Sequence, residues 1–330
     1  MTAFLCLIMK KSILIVSVIL TLTACSSATE KDQNVPIIPE TVATCGDGIK
    51  NGSETAIDCG GASCVPCVSG TVLLPESGYN APESYEGYVL LWNDEFETAT
   101  LNNKNWSFHK GNGCPNLCGW GNDELQYYTE KNHALKDGNL VITAKKENLE
   151  GYGYTSTRIH TADKFEFKYG RVDIRAAMPS ATGTWAALWL LNKEYTTQDP
   201  SAWWPNGGEI DLMEYLGEAP SELLGTVHYG RNLDNHQYNS VYTNAPEEDF
   251  TTVYHVFSIV WEENKITWLL NNKPYHTVTP KDTNGQPYPF NDTFYLVMNL
   301  SVGGNLPVPP IASQYPAFLS IDYVRVFQKN

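Results

Sequence analysis

The sequence predicts an all-β protein folded as a β-sandwich or jelly roll. Short segments with alternating apolar and polar side chains recur along the 330-residue chain, and Gly, Pro and Asn separate them. No convincing amphipathic helix follows the apolar segment near the start of the chain. Sandwiches and barrels of about 200 to 250 residues are common as single domains, so we expect one main core.

Each strand is predicted from its own pattern. NLVITAKK, which begins at Asn139, and RVDIRAAM, which begins at Arg171, alternate between two faces as strand residues do. HVFSIVWEENKITWLLNNKPY predicts a hairpin, because two strand-like segments flank a tight turn at Glu263 and Asn264. TFYLVMNLSVGG and LSIDYVRVFQK supply two more strands. YVLLWNDEF, from Tyr88, marks the beginning of the main domain.

The most informative strand-like segment is GGEIDLMEYLG, which carries Glu209, Asp211 and Glu214 within six residues. In a regular strand, Glu209 and Asp211 share one face and Met213 would follow them, which places Glu214 on the opposite face. One extra residue, a β-bulge, would return Glu214 to the face of the other two acids, and bulges are common beside active sites. We therefore predict a bulged strand that directs three carboxyl groups at one point.

Three carboxyl groups at one point cannot all ionise freely, so their titrations couple and at least one stays protonated near neutral pH. A carboxylate beside a carboxylic acid is the catalytic pair of glycosidases, and a separation of about 5 to 5.5 Å suits the retaining mechanism. A calcium site and an exposed acidic edge strand are the alternatives. The apolar residues Ile210, Leu212 and Met213 between the acids favour a strand over a calcium loop.

The beginning of the chain predicts export and a lipid anchor. Two lysines precede an apolar segment from Ile13 to Leu22 that is shorter than a membrane-spanning helix. The following LTAC is similar to a bacterial lipoprotein signal, which implies a signal peptide over residues 1–24 and a lipid attached to Cys25. An ordinary secretory signal is the alternative. A protein anchored in the membrane in this way is expected in the cell envelope, on the outer membrane and exposed at the cell surface.

Composition divides the rest of the chain into four parts. We predict a polar tether over residues 25–44, a small Cys-rich segment over 45–67, a linker rich in Gly, Pro and Ser over 68–86, and a main domain over 87–330.

Export changes how the cysteines are interpreted, because disulfides persist outside the cytoplasm. The Cys-rich segment holds four cysteines among Gly and Asn residues, and we expect two disulfides whose pairing stays open. Zinc is the alternative, but a single CxxC spacing, from Cys64 to Cys67, with no His nearby, argues against it. Cys114 and Cys118 are expected to close a small loop, with packed or free thiols as the alternative.

The formal net charge of −15 at pH 7 argues against a nucleic-acid partner, because phosphate binding requires concentrated Lys and Arg. The same charge argues mildly against a sulfated or acidic polysaccharide. We expect a monomer.

The aromatic residues favour a sugar-binding cleft, because aromatic faces stack on the apolar faces of sugar rings. Five tryptophans lie in or beside Gly-rich or polar loops, at positions 120, 185, 189, 203 and 204. Trp189 has apolar neighbours and is more typical of a core residue, whereas Trp204, just before PNGGEID, is the better cleft candidate. His228 in GTVHYG is expected to bond a substrate hydroxyl or to orient an acid, with a structural histidine as the alternative.

Several segments, taken in order, resemble glycoside hydrolase family 16 and, within it, the bacterial laminarinase-like β-glucanases. They lie between about Tyr88 and Lys329 and are LLWNDEF, CGWGNDELQYYT, DGNLVITA, YGRVDIRAAMP, GTWAALWLL, WPNGGEIDLMEYLG, GTVHYG, MNLSVGG and DYVRVFQ. The resemblance implies a β-jelly-roll sandwich of two curved antiparallel sheets with a concave substrate cleft. It also implies cleavage within long polysaccharide chains.

The resemblance gives the three acids separate roles. It implies that Glu209 is the nucleophile, Glu214 the general acid/base, and Asp211 the residue that tunes Glu209 and holds its geometry. Five residues match cleft positions of the family and are the predicted substrate-binding residues: Trp185, Trp204, Arg158, His228 and Asn299.

The resemblance also implies a structural calcium ion on the convex side, held by Glu95, Gly138 and Asp322, although Asp322 alternatively fits a solvated strand residue. No cofactor is expected for the chemistry. The chain departs from the family pattern at Ala186, where Pro is usual, at Thr157, where Gly is usual, and after NLSVGG, where a Trp is absent. These positions lie near the expected cleft, so they bear on substrate preference more than on catalysis.

The expected function is endo-acting, retaining hydrolysis of β-1,3-glucan such as laminarin, or of mixed β-1,3/1,4-glucan. The alternatives are a galactanase of the same family that acts on agar-like or carrageenan-like chains, a non-catalytic glucan-binding protein, and a transglycosylase. CGWGNDELQYYT and GTVHYG favour a glucan, and the presence of all three acids favours catalysis.

Overall fold

The described residues of the computed structural model are Gly52, 72–195, 203–246 and 249–330. The chain divides into two compact units, Met1–Glu40 and Thr41–Asn330, and the described residues all belong to the second unit. The predicted signal peptide, the lipid attachment at Cys25, the tether and the four cysteines of the Cys-rich segment lie outside the described residues.

Eighteen strands form the regular structure of the described residues. Their bounds are β1 (Tyr88–Asp94), β2 (Ser107–His109), β3 (Gln126–Tyr128), β4 (His133–Lys136), β5 (Asn139–Ala144), β6 (Tyr154–Ser156), β7 (Arg158–His160), β8 (Glu166–Phe167), β9 (Gly170–Ala177), β10 (Thr184–Asn192), β11 (Glu209–Leu216), β12 (Glu222–Tyr229), β13 (Gln237–Asn244), β14 (His255–Glu262), β15 (Lys265–Leu270), β16 (Lys273–Val278), β17 (Phe294–Val302) and β18 (Ala317–Lys329).

The helical segments of this part of the chain are short 3-10 turns, at Cys118–Gly121, Glu130–Asn132, Leu233–Asn235, Pro280–Thr283 and Ala312–Gln314. Within the described ranges, no helix reaches the length and apolar character that crossing a membrane requires.

Two eight-stranded antiparallel sheets form a sandwich. The first, here called the outer sheet, has the order β16, β15, β14, β9, β18, β5, β4, with β1 paired to β18. The second, here called the cleft sheet, has the order β13, β12, β11, β10, β17, β7, β2, with β8 paired to β17. A small parallel pair, β3 and β6, lies outside both sheets. The predicted all-β jelly-roll sandwich is confirmed.

The predicted hairpin is confirmed by the pairing of β14 with β15. Glu262 pairs with Lys265, so Glu263 and Asn264 form a two-residue turn. Asn264 has a φ of +61°, in the left-handed region that Asn tolerates better than most residues.

The two sheets pack through one continuous apolar core. Ile174 of β9 and Val324 of β18 face inward from the outer sheet, and Leu188 of β10 and Met298 of β17 face inward from the cleft sheet. All four are fully buried, and burial of such a side chain contributes about 1.5 to 3 kcal/mol. Because strand side chains alternate, the residues between them on the cleft sheet face the opposite side, where the cleft lies.

The segment before β1, predicted to be a linker, packs on the outer sheet. The backbone N–H of Tyr79 donates to the carbonyl of Tyr254 at 2.8 Å, and the Tyr85 hydroxyl donates to Oδ2 of Asp173 at 2.7 Å. The guanidinium of Arg171 lies 4.0 Å from the centre of the Tyr85 ring. Described residues ahead of the predicted boundary at residue 87 therefore already pack on the sandwich.

Candidate active site

Strand β11 contains the predicted bulge. From Asp211 to Glu214, β11 advances three residues while its neighbour β12 advances two. The register with β10 shifts at the same place. Leu212 and Met213 are both buried in the core between the sheets, whereas Glu214 returns to the cleft side and joins Glu209 and Asp211. The extra residue thus directs three acids to one face of the cleft sheet.

The three acids line a cleft of about 720 Å³ on the cleft sheet. The five predicted substrate-binding residues line the same cleft, and they are Trp185, Trp204, Arg158, His228 and Asn299. They come from β10, the connection before β11, β7, β12 and β17. Because these elements are far apart in sequence, only the strand order of the sheet brings the residues together.

Glu209 begins β11 and lies against Trp204. The indole Nε1 of Trp204 donates a hydrogen bond to Oε2 of Glu209 at 3.1 Å. Burial, together with the nearby Glu214 carboxyl group, raises the pKa of Glu209 to about 8. The positive charge of Arg158 and the Trp204 hydrogen bond act in the opposite direction and favour the carboxylate.

Asp211 is buried between Glu209 and His228. Its Oδ2 lies 3.5 Å from Nε2 of His228, and the same Nε2 lies 3.9 Å from Oε1 of Glu209. Oδ2 of Asp211 has no hydrogen-bond partner among the described residues. Burial, and then the charges of Glu209 and Glu214, raise the pKa of Asp211 well above its usual value. These effects favour the protonated form of Asp211.

Glu209, Asp211 and His228 each offer a ligand atom within 4.8 Å of the others, which is also the spacing of donors around a metal ion. In the described part of the chain, this is the one such group of His, Cys, Asp and Glu residues.

Glu214 receives a different set of contacts. Oγ1 of Thr226 donates to Oε2 of Glu214 at 2.9 Å. Burial raises the pKa of Glu214, and the Thr226 hydroxyl and the Trp185 indole only partly oppose that rise. Arg158 lowers the pKa of Glu209 and exerts no such effect on Glu214. Glu214 is thus suited to carry a proton.

The three acids therefore lie in different electrostatic environments. The charge of Glu214 raises the pKa of Glu209, and the charges of both raise the pKa of Asp211, so the three acids do not ionise independently. Arg158 and the N–H of Trp204 favour the ionised form of Glu209, although burial and Glu214 keep its pKa raised. A carboxylate next to carboxylic acids can attack a sugar and protonate its leaving group.

Arg158 is held between two indole rings. Its guanidinium carbon lies 4.5 Å from the ring centre of Trp120 and 4.8 Å from that of Trp189. The Nε1 of Trp189 also donates to Oδ1 of Asn299 at 2.8 Å. Trp189, which its neighbours suggest is a core residue, is indeed largely buried, but on the cleft side, where it orients Arg158 and Asn299.

A buried polar network behind the cleft wall was not predicted from the sequence. Gln126 and Tyr128 donate to Oε2 of Glu124 at 2.5 and 3.0 Å, and Tyr128 also bonds Oγ of Ser301 at 2.8 Å. Nδ2 of Asn299 donates to the same Ser301 at 3.0 Å. The period-two spacing of Glu124, Gln126 and Tyr128 in NDELQYYT is the signal that could have identified this network.

Cys114 and Cys118 form the disulfide that their spacing predicts. The loop between them carries Asn116 and Leu117, which line the cleft. The disulfide therefore closes a loop at the cleft wall, directly before Trp120.

Two of the three residues predicted to hold calcium are paired with arginines. Nε and Nη2 of Arg325 donate to the carboxylate of Glu95 at 2.9 and 2.8 Å, and Nη1 of Arg175 donates to Asp322 at 2.6 Å. Gly138 lies in the turn between β4 and β5. In this arrangement the carboxylates do not fit a calcium ion, which needs their oxygens free of such partners. The calcium site stays a prediction from the sequence.

Comparison with known proteins identifies similar sequences. The family model for glycosyl hydrolases family 16 matches residues 121–323. The chain is 40% identical over 267 residues to glucan endo-1,3-beta-glucosidase A1 of Niallia circulans, and the match covers 74% of this chain and 38% of that protein. It is 38% identical over 257 residues to a beta-glucanase of Rhodothermus marinus, with 73% of this chain and 85% of that protein covered.

Solved structures show the same architecture. The laminarinase catalytic domain from Thermotoga maritima MSB8 superposes with a TM-score of 0.69 at 37% identity, covering 74% of this chain and 100% of that one. The endo-beta-1,3-glucanase from Pyrococcus furiosus superposes with a TM-score of 0.68 at 40% identity, covering 74% of this chain and 95% of that one.

Calcium chelation tests whether Glu95 and Asp322 are held by arginines or by a calcium ion. Because Arg325 and Arg175 neutralise the carboxylates of Glu95 and Asp322, we expect EDTA to leave the melting temperature of the chain unchanged. Differential scanning calorimetry with EDTA and with added CaCl₂ measures this. A melting temperature that falls with EDTA and recovers with calcium, but not with magnesium, would establish the ion site in place of the ion pairs.

The raised pKa of Glu209 predicts how stability depends on pH. Between its usual pKa of 4.5 and about 8, the folded chain holds a proton that the unfolded chain releases. The free energy of unfolding of the wild type should therefore fall as pH rises through this window. Glu209→Gln lacks this proton, so its stability relative to the wild type should increase from pH 5 to pH 8.

Urea unfolding of both proteins at several pH values measures this difference. Glu222→Gln, at an exposed position of β12, is the control for loss of one carboxylate. A stability difference between Glu209→Gln and wild type that stays constant across the window contradicts the prediction.

Proposed function

The chain belongs to glycosyl hydrolases family 16, and on that basis we propose that it is an endo-acting, retaining β-glucanase. Its proposed substrates are β-1,3-glucan and mixed β-1,3/1,4-glucan. The observation that carries the proposal is the bulge in β11, which places Glu209, Asp211 and Glu214 together in a cleft with different protonation preferences.

The reaction has two steps. Glu209 attacks the anomeric carbon as a carboxylate, while Glu214 donates its proton to the departing glycosidic oxygen, and a glycosyl ester forms on Glu209. Glu214, now ionised, takes a proton from water, whose oxygen attacks the anomeric carbon and releases Glu209. Asp211, whose raised pKa favours the protonated form, lies on the same strand face as Glu209 and tunes its charge.

The surroundings of the acids support this assignment of roles. Trp204 and Arg158 favour the ionised form of Glu209, which a nucleophile requires. Thr226 orients Glu214 while burial keeps its proton on. The two catalytic groups thus have pKa values set by different neighbours, as acid and nucleophile pairs in glycosidases require.

The shape of the cleft supports attack within long chains. The cleft wall includes residues of β7, β10, β11, β12, β13 and β17, so the cleft crosses much of the sheet. Tyr238 of β13 and Leu306 near β17 line it and are largely exposed, which leaves its rim open to solvent. A polysaccharide could extend past both sides of the acids.

The names of the relatives support a glucan substrate over a galactan. The relatives from Niallia circulans and Rhodothermus marinus are named for glucan cleavage, and so are both superposed structures. The chain spans only about two fifths of the first of these relatives, so activity of the whole protein remains part of the proposal. The retained acids support an enzyme over a non-catalytic glucan-binding protein.

We also propose that the enzyme is a monomeric lipoprotein of the outer membrane that faces the outside of the cell. The support comes from the signal-like beginning of the chain and from LTAC before Cys25. A lipid at Cys25 would hold the catalytic domain near polymers that are too large to enter the cell.

Removal of either catalytic carboxyl group should abolish turnover. We expect Glu209→Ala and Glu214→Ala to lower kcat on laminarin by at least about 10²- to 10⁴-fold while both variants remain folded. Azide separates the roles when the substrate is an aryl β-glycoside with a good leaving group. Glu209→Ala should yield an α-glycosyl azide, because azide replaces the nucleophile, and Glu214→Ala a β-glycosyl azide, because azide attacks the ester.

NMR of the azide products gives their configuration, and circular dichroism checks folding. The exposed Glu222→Ala is the matched control and should keep wild-type activity. Near-wild-type turnover in either catalytic variant would refute the assignment.

A panel of polysaccharides identifies the substrate. We expect laminarin and barley mixed-linkage glucan to yield oligosaccharides of several lengths early in the reaction, because the open cleft permits internal cleavage. Agarose and carrageenan should yield no reducing ends. Chromatography of the products with a reducing-end assay measures both. Release of oligosaccharides from agarose alone would replace the glucanase proposal with a galactanase.

A further inference from the structure

His236 lies at the rim of the cleft in the connection between β12 and β13, directly after the turn Leu233–Asn235. Its ring packs against Trp204, with ring centres 4.6 Å apart, and lies nearly parallel to the His228 ring, with centres 5.1 Å apart. Gly230 lets the connection turn inward, because a Cβ there would meet the carbonyl oxygen of Asn235 at 2.4 Å. The sequence patterns do not single out His236.

The two histidine rings are joined by a hydrogen bond that points toward the acids. Nε2 of His236 lies 2.9 Å from Nδ1 of His228. On its other side, Nε2 of His228 faces Oδ2 of Asp211 at 3.5 Å and Oε1 of Glu209 at 3.9 Å. One hydrogen lies between the rings, and the ring that carries it determines what His228 presents to the acids.

Electrostatics favour one of the two positions of the hydrogen between the rings. If His236 carries the shared hydrogen, Nδ1 of His228 accepts it and the hydrogen of His228 sits on Nε2, facing the acids. In the opposite arrangement a bare lone pair on Nε2 faces Oε1 of Glu209, which is unfavourable when Glu209 is ionised, as its attack on the sugar requires. Both rings are neutral near pH 7, because burial lowers the pKa of His228 to about 3 and also lowers that of His236.

We propose that His236 is a positioning residue that holds His228 with its Nε2–H toward Asp211 and Glu209, and so supports the charge on the nucleophile. His236 has no direct contact with the reacting atoms in this role. The expected effect on rate rests on the proposed function, because His236 acts on the reaction through Glu209. The hydrogen bond between His236 and His228 does not rest on that function.

Substitution of His236 leaves the neighbouring titratable and charged side chains in place. The titratable and charged groups around Glu209 and the histidine pair are Asp211, Glu214, Arg158, Tyr195, Tyr238 and Tyr295.

Two substitutions separate the hydrogen bond from simple packing. His236→Phe keeps an aromatic ring against Trp204 but removes the N–H donor. His236→Gln keeps an N–H donor near the position of Nε2 but removes the ring. If packing against Trp204 is what matters, His236→Phe should resemble the wild type more than His236→Gln does. If donation to His228 matters, His236→Gln should resemble it more.

Nitrogen-15 NMR of the full chain with labelled histidine tests the hydrogen bond without any reaction. We expect the wild type to show a scalar coupling between Nε2 of His236 and Nδ1 of His228, with the hydrogen of His228 on Nε2. The coupling should vanish in His236→Phe. Absence of the coupling in the wild type, or a hydrogen of His228 on Nδ1, overturns the proposal.

The pH profile of kcat/KM on laminarin tests the consequence for Glu209. Losing N–H donation raises the pKa of Glu209, so the acidic limb of His236→Phe should move up by about half to one pH unit. His236→Gln should restore the wild-type limb. If both variants instead raise KM with unchanged pH profiles, His236 only contacts the sugar and the proposal fails. If the wild type cleaves no glucan, the proposed function fails, and the NMR result still decides the role of His236.

Discussion

The structure depends on holding three carboxyl groups in one buried place. An ionised carboxylate taken out of water costs several kcal/mol unless charges or hydrogen bonds replace the lost solvent. The protein supplies those partners unequally. Glu209 has Arg158 and Trp204, and Glu214 has the hydroxyl of Thr226 and the indole of Trp185. Oδ2 of Asp211 has no hydrogen-bond partner among the described residues. The inequality gives each acid its own preferred protonation state, and the proposed reaction follows from that difference.

The sheet tolerates the bulge because β11 is an interior strand. It pairs with β10 on one side and β12 on the other, so the surrounding ladders hold the irregular step in register. Leu212 and Met213 both enter the core, where they add apolar burial in place of one outward-facing residue. Core packing and catalytic geometry are thus satisfied by the same extra residue.

Aromatic rings organise the polar groups on both sheets. On the cleft sheet, Trp120 and Trp189 enclose Arg158, which sets its distance from the acids. On the outer sheet, Tyr85 covers Arg171 and bonds Asp173, so the polar face of β9 is buried beneath the segment before β1. The first arrangement tunes a reactive site, whereas the second ties an entering segment to the sandwich. A guanidinium stacked on a ring stays charged while it is largely removed from water.

Local pattern was sufficient for the fold class, the hairpin turn at Glu263 and Asn264, the Cys114 to Cys118 loop and the bulge, because each depends on residues that are close in sequence. The resemblance to a family added the roles of the acids and the cleft residues.

Long-range contacts decided the rest. The burial of Trp189 on the cleft side, the network around Glu124 and the pairing of His236 with His228 depend on which strands are neighbours. The arginine partners of Glu95 and Asp322 depend on the same strand order. Alternation along a strand shows which residues share a face. The order of the strands in the sheet determines which residues of other strands contact them, and a single sequence does not show that order. The sequence by itself therefore determined that three acids face one way, and the tertiary structure decided which groups surround each of them.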